Sequence, residues 1–160
     1  MLESFAPIVD DDSQILVLGS MPGRESLMAG EYYRNQRNAF WKIISILFNN
    51  GQPFNSYEEK VACLRHNHIA LWDTIKYCDR EGSLDSNIRN AVRNDIAAFL
   101  KQYPNIKRVI ANGATAAKNV DYLPDVLRAH STSPACTIPF DKKLEEWREL
   151  LINKTVKQSK

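Results

Sequence analysis

The residues best suited to chemistry lie within one stretch of the sequence, between Gly19 and Trp41. Carboxamides, hydroxyls and backbone amides can read the polar edge of a ligand, and aromatic rings can stack on its flat face. In chain order, the stretch holds the loop Gly19-Ser20-Met21-Pro22-Gly23, the paired Tyr32 and Tyr33, and the segment Arg37-Asn38-Ala39-Phe40-Trp41. The loop directly follows an apolar run, and the carboxyl end of such a strand is a common ligand site in α/β sheets. We therefore expect the chemistry here.

Several common catalytic patterns are missing from this sequence. The loop from Gly19 to Arg24 has neither the glycine spacing nor the lysine of a phosphate-binding P-loop, and no Gly-x-Gly-x-x-Gly or Gly-x-Ser-x-Gly pattern occurs. The three cysteines have no Cys-x-x-Cys spacing, which argues against a disulfide framework, a zinc site or an iron–sulfur cluster. His66 and His68 fall near a predicted helix end, where a surface position is the commoner interpretation. The sequence therefore predicts neither a metal nor a cofactor.

The remaining inventory suits a nucleobase that has been rotated out of a nucleic acid. Aromatic rings would stack on the base, carboxamide and backbone groups would read its edge, and arginines would hold the phosphates of the extruded nucleotide. Arg24, Arg34 and Arg37 are the candidate phosphate contacts. Because the net charge is only +2, scattered and solvated arginines remain an alternative.

Apolar runs that alternate with helical patterns predict the frame that positions these residues. Strands are predicted at residues 15–19, 69–72, 106–111 and 126–129. Helices are predicted from Phe40 to about Asn49, from Ser56 to about His66, from about Asn90 to before Pro104, as a short alanine-rich segment after Gly113, and from about Asp141 to Ile152. The alternation indicates an α/β protein, a three-layer α/β/α sandwich around a central four-stranded, mostly parallel sheet. The polar loops after the four strands would then meet at one edge of the sheet.

Size and composition indicate one globular domain without a membrane span. The 160 residues, 44% apolar and 25% charged, suffice for a single core, and no apolar run approaches the roughly 20 residues that span a bilayer. We expect one domain over residues 1–160, with a polar loop from Lys76 to Ser86 and a frayed basic tail from Lys154 to Lys160. The acidic amino terminus lacks the features of a signal peptide, which favours a cytoplasmic, nucleoid-associated protein.

The motifs resemble those of the uracil-DNA glycosylase superfamily, and most closely its hypoxanthine-DNA (deoxyinosine) glycosylase branch. The resemblance covers most of the chain. It rests on Leu18-Gly-Ser-Met-Pro-Gly23, on Tyr32-Tyr33 followed by Arg37-Asn-Ala-Phe-Trp41, on Ile69-Ala-Leu-Trp-Asp73 with Gly82-Ser-Leu-Asp-Ser86, on Asn112-Gly113, and on Ser131-Thr-Ser-Pro-Ala135. Each motif alone is a weak signal, but their common order and spacing are specific.

The resemblance implies that Asn38 is the catalytic residue, because the asparagine of the branch's Asn-x-Phe-Trp motif falls there. In the related mismatch-specific uracil glycosylases, the catalytic asparagine lies in the first loop, at the position that Met21 holds here. A thioether cannot orient a water molecule as a carboxamide can, so this chain would depend on Asn38. Asparagine is also favoured as a helix N-cap, and that role could coexist with catalysis.

The resemblance further implies an aromatic platform for the base. Tyr33 matches the superfamily's base-stacking aromatic residue, although an ordinary packed tyrosine is the alternative. The helical spacing of Phe40 and Trp41 instead favours a place in the core.

The edge of the base would be read by groups from several loops. Backbone amides are expected from Gly19, Ser20 and Met21, and pocket-wall side chains from Asp73, Ser83, Asp85 and Asn112. Preorganised amides of this kind can stabilise negative charge on a departing base. Asp73, Ser83 and Asp85 could equally form turns, and Asn112 could equally cap the following helix.

The last loop, His130-Ser131-Thr132-Ser133-Pro134, corresponds to the superfamily loop that enters or braces the DNA minor groove near the flipped nucleotide. Small hydroxyl residues and a rigid proline suit such an approach. The chain departs from the branch at two places, where His130 replaces a proline and Arg34-Asn35-Gln36 replaces the common Ala-His-Pro. Substrate preference and rate could differ accordingly.

The resemblance implies hydrolysis of the N-glycosidic bond of deoxyinosine in DNA, with release of hypoxanthine and formation of an abasic site. No lysine occurs in the motif loops, so a Schiff-base lyase step is not expected. Two alternatives stay open: a broader uracil or xanthine glycosylase, and a non-catalytic module that binds damaged bases or abasic sites. The expected partner is DNA containing deaminated bases. We expect the protein to bind it as a monomer, with no membrane and no metal involved.

Overall fold

A computed structural model of the chain describes residues 1–153, so the predicted tail at 154–160 lies outside the described residues. Strands in this part of the chain are β1 (Leu2–Glu3), β2 (Ile15–Gly19), β3 (Ile69–Asp73), β4 (Ile75–Asp79), β5 (Arg89–Arg93), β6 (Arg108–Asn112) and β7 (Leu127–Ala129). Helices are α1 (Arg24–Ala29), α2 (Phe40–Phe48), α3 (Tyr57–His66), α4 (Ile96–Gln102), α5 (Ala114–Asn119) and α6 (Phe140–Leu151), with a 3-10 turn at Asp85–Asn87. Each α-helix in residues 1–153 is too short or too polar to cross a lipid bilayer.

Four strands form the central sheet in the order β3-β2-β6-β7, and all neighbouring strands are parallel. Strands β2 and β3 run in step from the pair Ile15 and Ile69 to the pair Gly19 and Asp73. Their continuous apolar runs are buried because helices cover both faces of the sheet. The predicted α/β fold with a four-stranded parallel sheet is confirmed.

The two faces of the sheet pack against different helices. On one side, Val17 lies in a core with Phe40 of α2, Leu64 of α3 and Trp147 of α6. On the other side, Leu16 packs with residues of α4 in a smaller core. Alternate side chains of one strand therefore point into different layers, which produces the sandwich.

Helix α2 brings the segment around Asn38 to the sheet. Phe40, Ile43 and Ile44 are completely buried, at the spacing of a single helix face. The helix ends before Asn50 and Gly51, which both adopt left-handed backbone angles. Because the apolar face is held in the core, the residues just ahead of Phe40 are held as well.

Two predictions between β3 and α4 are wrong. The loop predicted at Lys76–Ser86 begins as strand β4, and the helix predicted from about Asn90 begins only at Ile96, after strand β5. Strands β1, β4 and β5 form a separate, antiparallel sheet. All five residues of β5 are exposed, so its sequence lacks the alternating apolar pattern that indicates a strand. Asp95 marks the true helix start, since its side chain accepts a hydrogen bond from the N–H of Ala98.

Helix α1 was also absent from the predicted elements. Ser26 is the buried residue of this six-residue helix, so no apolar stripe indicates it in the sequence. The helix directly continues the first loop, Ser20 to Gly23, and forms part of the wall beside it.

Candidate active site

The carboxyl ends of the parallel strands open into a cleft of about 1060 Å³. It is lined by the ends of β2, β3, β6 and β7, the loops after them, the β4–β5 loop and the segment before α2. Every residue that the sequence predicts for the site lines this cleft except Arg34. Arg34 is exposed outside the lining, and its backbone N–H donates to Ser26 Oγ.

Gly19, Asp73 and Tyr33 form a crowded group at the centre of the cleft. The parallel register places Gly19 beside Asp73. A Cβ atom on Gly19 would lie 2.5 Å from Asp73 Oδ1 and 3.2 Å from Tyr33 Oη. The absence of a side chain at Gly19 is therefore what lets the carboxyl and the phenol approach the strand end.

The carboxyl of Asp73 is buried without full compensation. Its residue is only 3% exposed, and Oδ2 has no hydrogen-bond partner among the described residues. Burial, with a smaller contribution from Asp85, raises the pKa of Asp73 to about 7, and Arg80 partly opposes the shift. Near neutral pH, Asp73 can therefore present either a proton donor or an anion to a ligand.

Tyr33 is held in an unusual conformation. Its φ of 54° is in the left-handed region, which a bulky side chain seldom occupies. Its ring stacks on Phe40 with centroids 4.3 Å apart, and the preceding carbonyl, of Tyr32, accepts a hydrogen bond from Trp41 Nε1 at 2.7 Å. Core residues of α2 thus fix the ring at the cleft. Burial and then Asp73 raise the pKa of Tyr33, so its hydroxyl keeps its proton.

Asn112 joins the end of β6 to the last loop and to Tyr33. Its Nδ2 donates to Thr132 Oγ1 at 3.0 Å and to Tyr33 Oη at 3.2 Å, while its Oδ1 accepts from the Thr132 N–H at 3.0 Å. Gly113 occupies the N-cap of α5, which receives no side-chain cap. Asn112 therefore organises the cleft and does not cap the following helix.

Asn38 lies half-buried in the cleft lining, just before α2. Its Oδ1 accepts a hydrogen bond from the Phe40 N–H at 2.9 Å, so the side chain helps to cap the helix. Its Nδ2 has no hydrogen-bond partner within residues 1–153. One end of the carboxamide is therefore anchored, and the other end can still bind a ligand or water.

The β4–β5 loop is attached to the first loop by side chains. Ser20 Oγ donates to Asp85 Oδ1 at 2.7 Å, and Ser83 Oγ accepts from the Arg24 N–H at 2.8 Å. Arg80 also donates to the carbonyl of Pro22 at 2.7 Å. These bonds make the loop one wall of the cleft, although Ser83 and Asp85 are themselves exposed.

A buried lysine braces the last loop on the opposite side. Lys143 of α6 is 5% exposed, and its Nζ donates to the carbonyls of Ser133 at 3.0 Å and Cys136 at 2.8 Å. The Thr132 carbonyl accepts from the Ala39 N–H at 2.9 Å, next to Asn38. No motif in the sequence predicts this role for Lys143, because it depends on how α6 packs beneath the loop.

Known proteins are similar to this chain in sequence and in fold. The family model described as "Uracil DNA glycosylase superfamily" matches residues 6–153. The chain belongs to the uracil DNA glycosylase superfamily. Two curated relatives named hypoxanthine DNA glycosylase are similar to it. The Methanosarcina acetivorans protein is 35% identical over 71% of this chain and 72% of its own length. The Methanosarcina barkeri protein is 33% identical over 79% of this chain and 78% of its own length. A solution NMR structure of a candidate uracil DNA glycosylase from M. acetivorans has a TM-score of 0.82 and 30% identity, covering 93% of this chain and 95% of that one.

The position of Met21 distinguishes this member of the superfamily from one with an asparagine in the first loop. The Met21 side chain is buried in a small apolar cluster with Ile75 and Cys78, where it fills space. Its residue lines the cleft, so the backbone is the part available to a ligand there. The first loop therefore offers no side-chain carboxamide at position 21, and the catalytic role of Asn38 stays a prediction.

The mouth of this superfamily member's cleft carries both signs of charge. Arg24 and Arg37 line the cleft, as do Lys118 and Arg128, which the sequence motifs do not reveal. His130 lies there too, with its backbone N–H donating to Glu146 Oε1 at 2.7 Å and its Nδ1 3.2 Å from Oε2. Within residues 1–153, no group of three or more His, Cys, Asp or Glu side chains could hold a metal ion.

Proposed function

We propose that this chain is a DNA glycosylase that hydrolyses the N-glycosidic bond of deoxyinosine in DNA, releasing hypoxanthine and leaving an abasic site. Membership of the superfamily supports a glycosylase, and the two relatives named hypoxanthine DNA glycosylase support the choice of base. The observation that carries the proposal is the cleft, where the Asn38 carboxamide and the buried Asp73 carboxyl line one space.

The extruded base enters the cleft and stacks on Tyr33, whose ring is backed by Phe40. Backbone amides of Gly19, Ser20 and Met21 lie along the edge of the base, where strand β2 ends. Because the Tyr33 hydroxyl accepts a hydrogen bond from Asn112, its own proton remains available for an acceptor on the ligand.

The Asp73 carboxyl recognises the base through the proton that it carries in its neutral form. In the neutral form, the carboxyl donates a hydrogen bond to an acceptor of the purine, which draws electrons from the base and improves it as a leaving group. In the ionised form, it would place a negative charge beside a base that is itself becoming negative. The burial that raises the pKa of Asp73 therefore favours the productive form below about pH 7.

Bond breaking runs ahead of water attack. The bond between the sugar C1′ and the purine nitrogen breaks, and its electron pair goes to the base. The oxygen of a water molecule then bonds to C1′, and the proton released from that water balances the charge of the departing base. The free end of the Asn38 carboxamide orients the water, while its Oδ1 stays tied to the Phe40 N–H. Water is the sole co-reactant.

The backbone of the DNA is held at the mouth of the cleft. Arg24 and Arg37 contact phosphates next to the extruded nucleotide, and the loop from His130 to Pro134 approaches the minor groove. All of these groups come from one copy of the chain, so a monomer in a single domain is sufficient. The partner is DNA containing deaminated bases, and the protein is expected to act in the cytoplasm, at the nucleoid.

Duplexes carrying deoxyinosine, deoxyuridine or deoxyxanthosine test the proposal under single-turnover conditions. We expect alkali-sensitive cleavage at deoxyinosine, and we expect Asn38→Ala to slow it by about 10³-fold, within the range for loss of a catalytic acid–base or positioning group. Tight binding to an abasic site without cleavage would instead identify a non-catalytic module. Faster cleavage at deoxyuridine or deoxyxanthosine would reassign the base.

A second variant separates catalysis from helix capping. Asn38→Ser retains a side-chain oxygen that can accept the Phe40 N–H but removes the carboxamide, so it should lose activity while its melting temperature stays near that of the wild type. Asn49→Ser, at the other end of α2, is the matched control and should retain activity. Wild-type rates for Asn38→Ala, combined with loss of activity on changing Met21, would move the catalytic group to the first loop.

A further inference from the structure

Asn35 holds the backbone immediately ahead of Asn38. Its side-chain Oδ1 accepts a hydrogen bond from the Arg37 N–H at 2.8 Å, and its main-chain carbonyl accepts one from the Asn38 N–H at 2.9 Å. The second bond joins residues three apart and closes a β-turn, with Gln36 and Arg37 at its corner. Two consecutive N–H groups therefore end on one residue, so the path of the chain at Asn38 depends on Asn35.

The segment that contains this turn is fixed at both of its ends. The Arg34 N–H donates to Ser26 Oγ of α1 at 3.0 Å, and the Ala39 N–H donates to the Thr132 carbonyl at 2.9 Å. These bonds attach the segment to α1 on one side and to the last loop on the other. The turn lies between the two anchors, so the bonds to Asn35 set its shape.

The turn occupies the place where this chain departs from the branch pattern. Arg34-Asn35-Gln36 stands where Ala-His-Pro is common, so Asn35 replaces the histidine and Gln36 replaces the proline. Proline at the second position of a β-turn fixes its own φ near the value that the turn needs. Asparagine at the first position instead accepts the N–H two residues further on. The Asn35 side chain therefore supplies the restraint that a proline ring would give.

The two replacing residues differ in their surroundings. Asn35 is half-buried and lines the cleft, whereas Gln36 is exposed and lies outside the lining. Within residues 1–153, the Gln36 side chain makes no hydrogen bond, and the Asn35 Nδ2 donates none. Of the two, Asn35 is therefore the one that shapes the turn, and direct contact of its Nδ2 with a ligand is the competing role that an experiment must separate.

We propose that Asn35 is a positioning residue for Asn38, and that its turn sets where the free end of the Asn38 carboxamide lies in the cleft. The inference rests on the proposed function, because it takes Asn38 as the group that orients the water. Asn35 acts on the backbone and touches neither the base nor the water. A misplacement of about 1 Å is enough to lower a catalytic rate about 100-fold, so loss of the turn affects the chemical step and not DNA binding.

Single-turnover cleavage of deoxyinosine at saturating protein separates the chemical step from DNA binding. For Asn35→Ala we expect the maximal rate to fall about 10- to 100-fold, while the protein concentration at half the maximal rate changes by less than about twofold. Asn35→Asp keeps the acceptor of the turn and loses Nδ2, so its maximal rate should stay within about threefold of the wild type. Gln36→Ala, in the exposed neighbour outside the cleft, is the matched control and should change neither quantity. A maximal rate for Asn35→Asp as low as that of Asn35→Ala would show that Nδ2 contacts the substrate, which overturns the positioning role.

A double-mutant cycle tests whether Asn35 acts through Asn38. In an Asn38→Ala background, Asn35→Ala should lower the residual rate by less than about twofold, because the group that it positions is already gone. With Asn38 present, adding Gln36→Pro to Asn35→Ala should restore most of the maximal rate, since proline restrains the same turn. An equal loss of rate in both backgrounds would make the effect of Asn35 independent of Asn38 and would contradict the proposal.

Amide hydrogen exchange measures the turn without requiring cleavage. We expect the Arg37 N–H to exchange faster in Asn35→Ala than in the wild type and to stay near the wild-type rate in Asn35→Asp. The Gly113 N–H, bonded to the Ala129 carbonyl at 3.0 Å, should be unchanged in both variants. Equal exchange of the Arg37 N–H in the wild type and Asn35→Ala would refute the turn as the restraint. Absence of cleavage by the wild type, with the expected exchange, would instead refute the proposed function and leave the turn intact.

Discussion

The two sheets of this protein both contribute to the cleft, but they do so by different means. The parallel sheet contributes residues that stand at its strand ends and are buried there, such as Gly19, Asp73 and Asn112. The antiparallel sheet contributes exposed loop residues, Ser83 and Leu84 among them, which are positioned by side-chain hydrogen bonds to the first loop. One region is held by the core and the other by its surface contacts.

The difference separates two tasks of the proposed reaction. Stabilising charge on a base needs groups that are fixed and desolvated before the substrate arrives, and strand ends in a packed sheet meet that need. Contacting a duplex that must bend and unstack tolerates a solvated loop. Substitutions at strand ends should therefore affect the chemical step strongly, and those in the β4–β5 loop should have smaller effects, mainly on duplex binding.

Gly19→Ala is the strongest test of the strand-end region. The added Cβ would lie 2.5 Å from Asp73 Oδ1, so the carboxyl or the strand end must move. We expect single-turnover cleavage to fall about 100-fold or more, as for a misplacement near 1 Å in an active site. Gly23→Ala is the control in the same loop, because its Cβ would be 3.4 Å from Ser83 Oγ at a φ of −68°, and it should stay near the wild-type rate. Equal losses of cleavage rate in Gly19→Ala and Gly23→Ala would show that the strand end is no more sensitive than the rest of the loop.

The pH dependence of the cleavage rate in Asp73→Asn tests the role of the carboxyl at the strand end. Because the pKa of Asp73 is about 7, the wild-type rate should fall by up to about tenfold per pH unit above that value as the proton donor is lost. Asparagine has an N–H donor at every pH, so the variant's profile should be flat there. Groups that influence Asp73 are Asp85, Arg80 and the two neighbouring tyrosines, and they remain in both proteins. A drop above pH 7 that persists in Asp73→Asn would assign the titration elsewhere.

The free energies of unfolding of the wild type and of Asp73→Asn should also differ in their pH dependence, in a defined direction. Since the folded pKa of Asp73, about 7, lies above its ordinary 3.8, its contribution to stability is complete below about pH 4 and is lost as pH rises to about 7. The free energy of unfolding of the wild type should therefore fall relative to that of Asp73→Asn across this window, by about 1.4 kcal/mol for each unit of pKa shift. Urea titrations at about pH 4.5, 6 and 8 measure this difference within the window and above it. A difference in the free energy of unfolding that stays constant with pH would contradict the raised pKa of the buried Asp73 carboxyl.

Ser83→Ala should have the smallest effect. It removes one exposed acceptor for the Arg24 N–H, a bond with a net value of about 0.5–1.5 kcal/mol, while Arg80 and Asp85 still hold the loop. We expect a modest rise in KM for duplex DNA with little change in kcat. Ser86→Ala, in the same loop, is the control. A loss as large as that of Gly19→Ala would mean that the loop supports chemistry as directly as the strand ends do.

Much of this contrast was visible in the sequence, and the missing part has a clear physical origin. The apolar runs that become β2, β3, β6 and β7 are buried on both faces, so their patterns are strong. Strand β5 is exposed throughout and α1 buries only Ser26, so neither has a pattern to detect. Lys143 could not be assigned either, because a lysine ten residues beyond Ser133 has no signal that it is buried beneath the loop.

The sequence by itself determined the family, the parallel sheet and the set of residues at its carboxyl edge, because these depend on local apolar runs and on motifs in a set order. Tertiary structure alone decided how those residues behave. The raised pKa of Asp73 follows from desolvation, and the position of Arg34 outside the cleft follows from the path of the chain. The attachment of the β4–β5 loop to the first loop includes a bond between Ser20 and Asp85, which are 65 residues apart. Each of these depends on neighbours in space, which no local pattern contains.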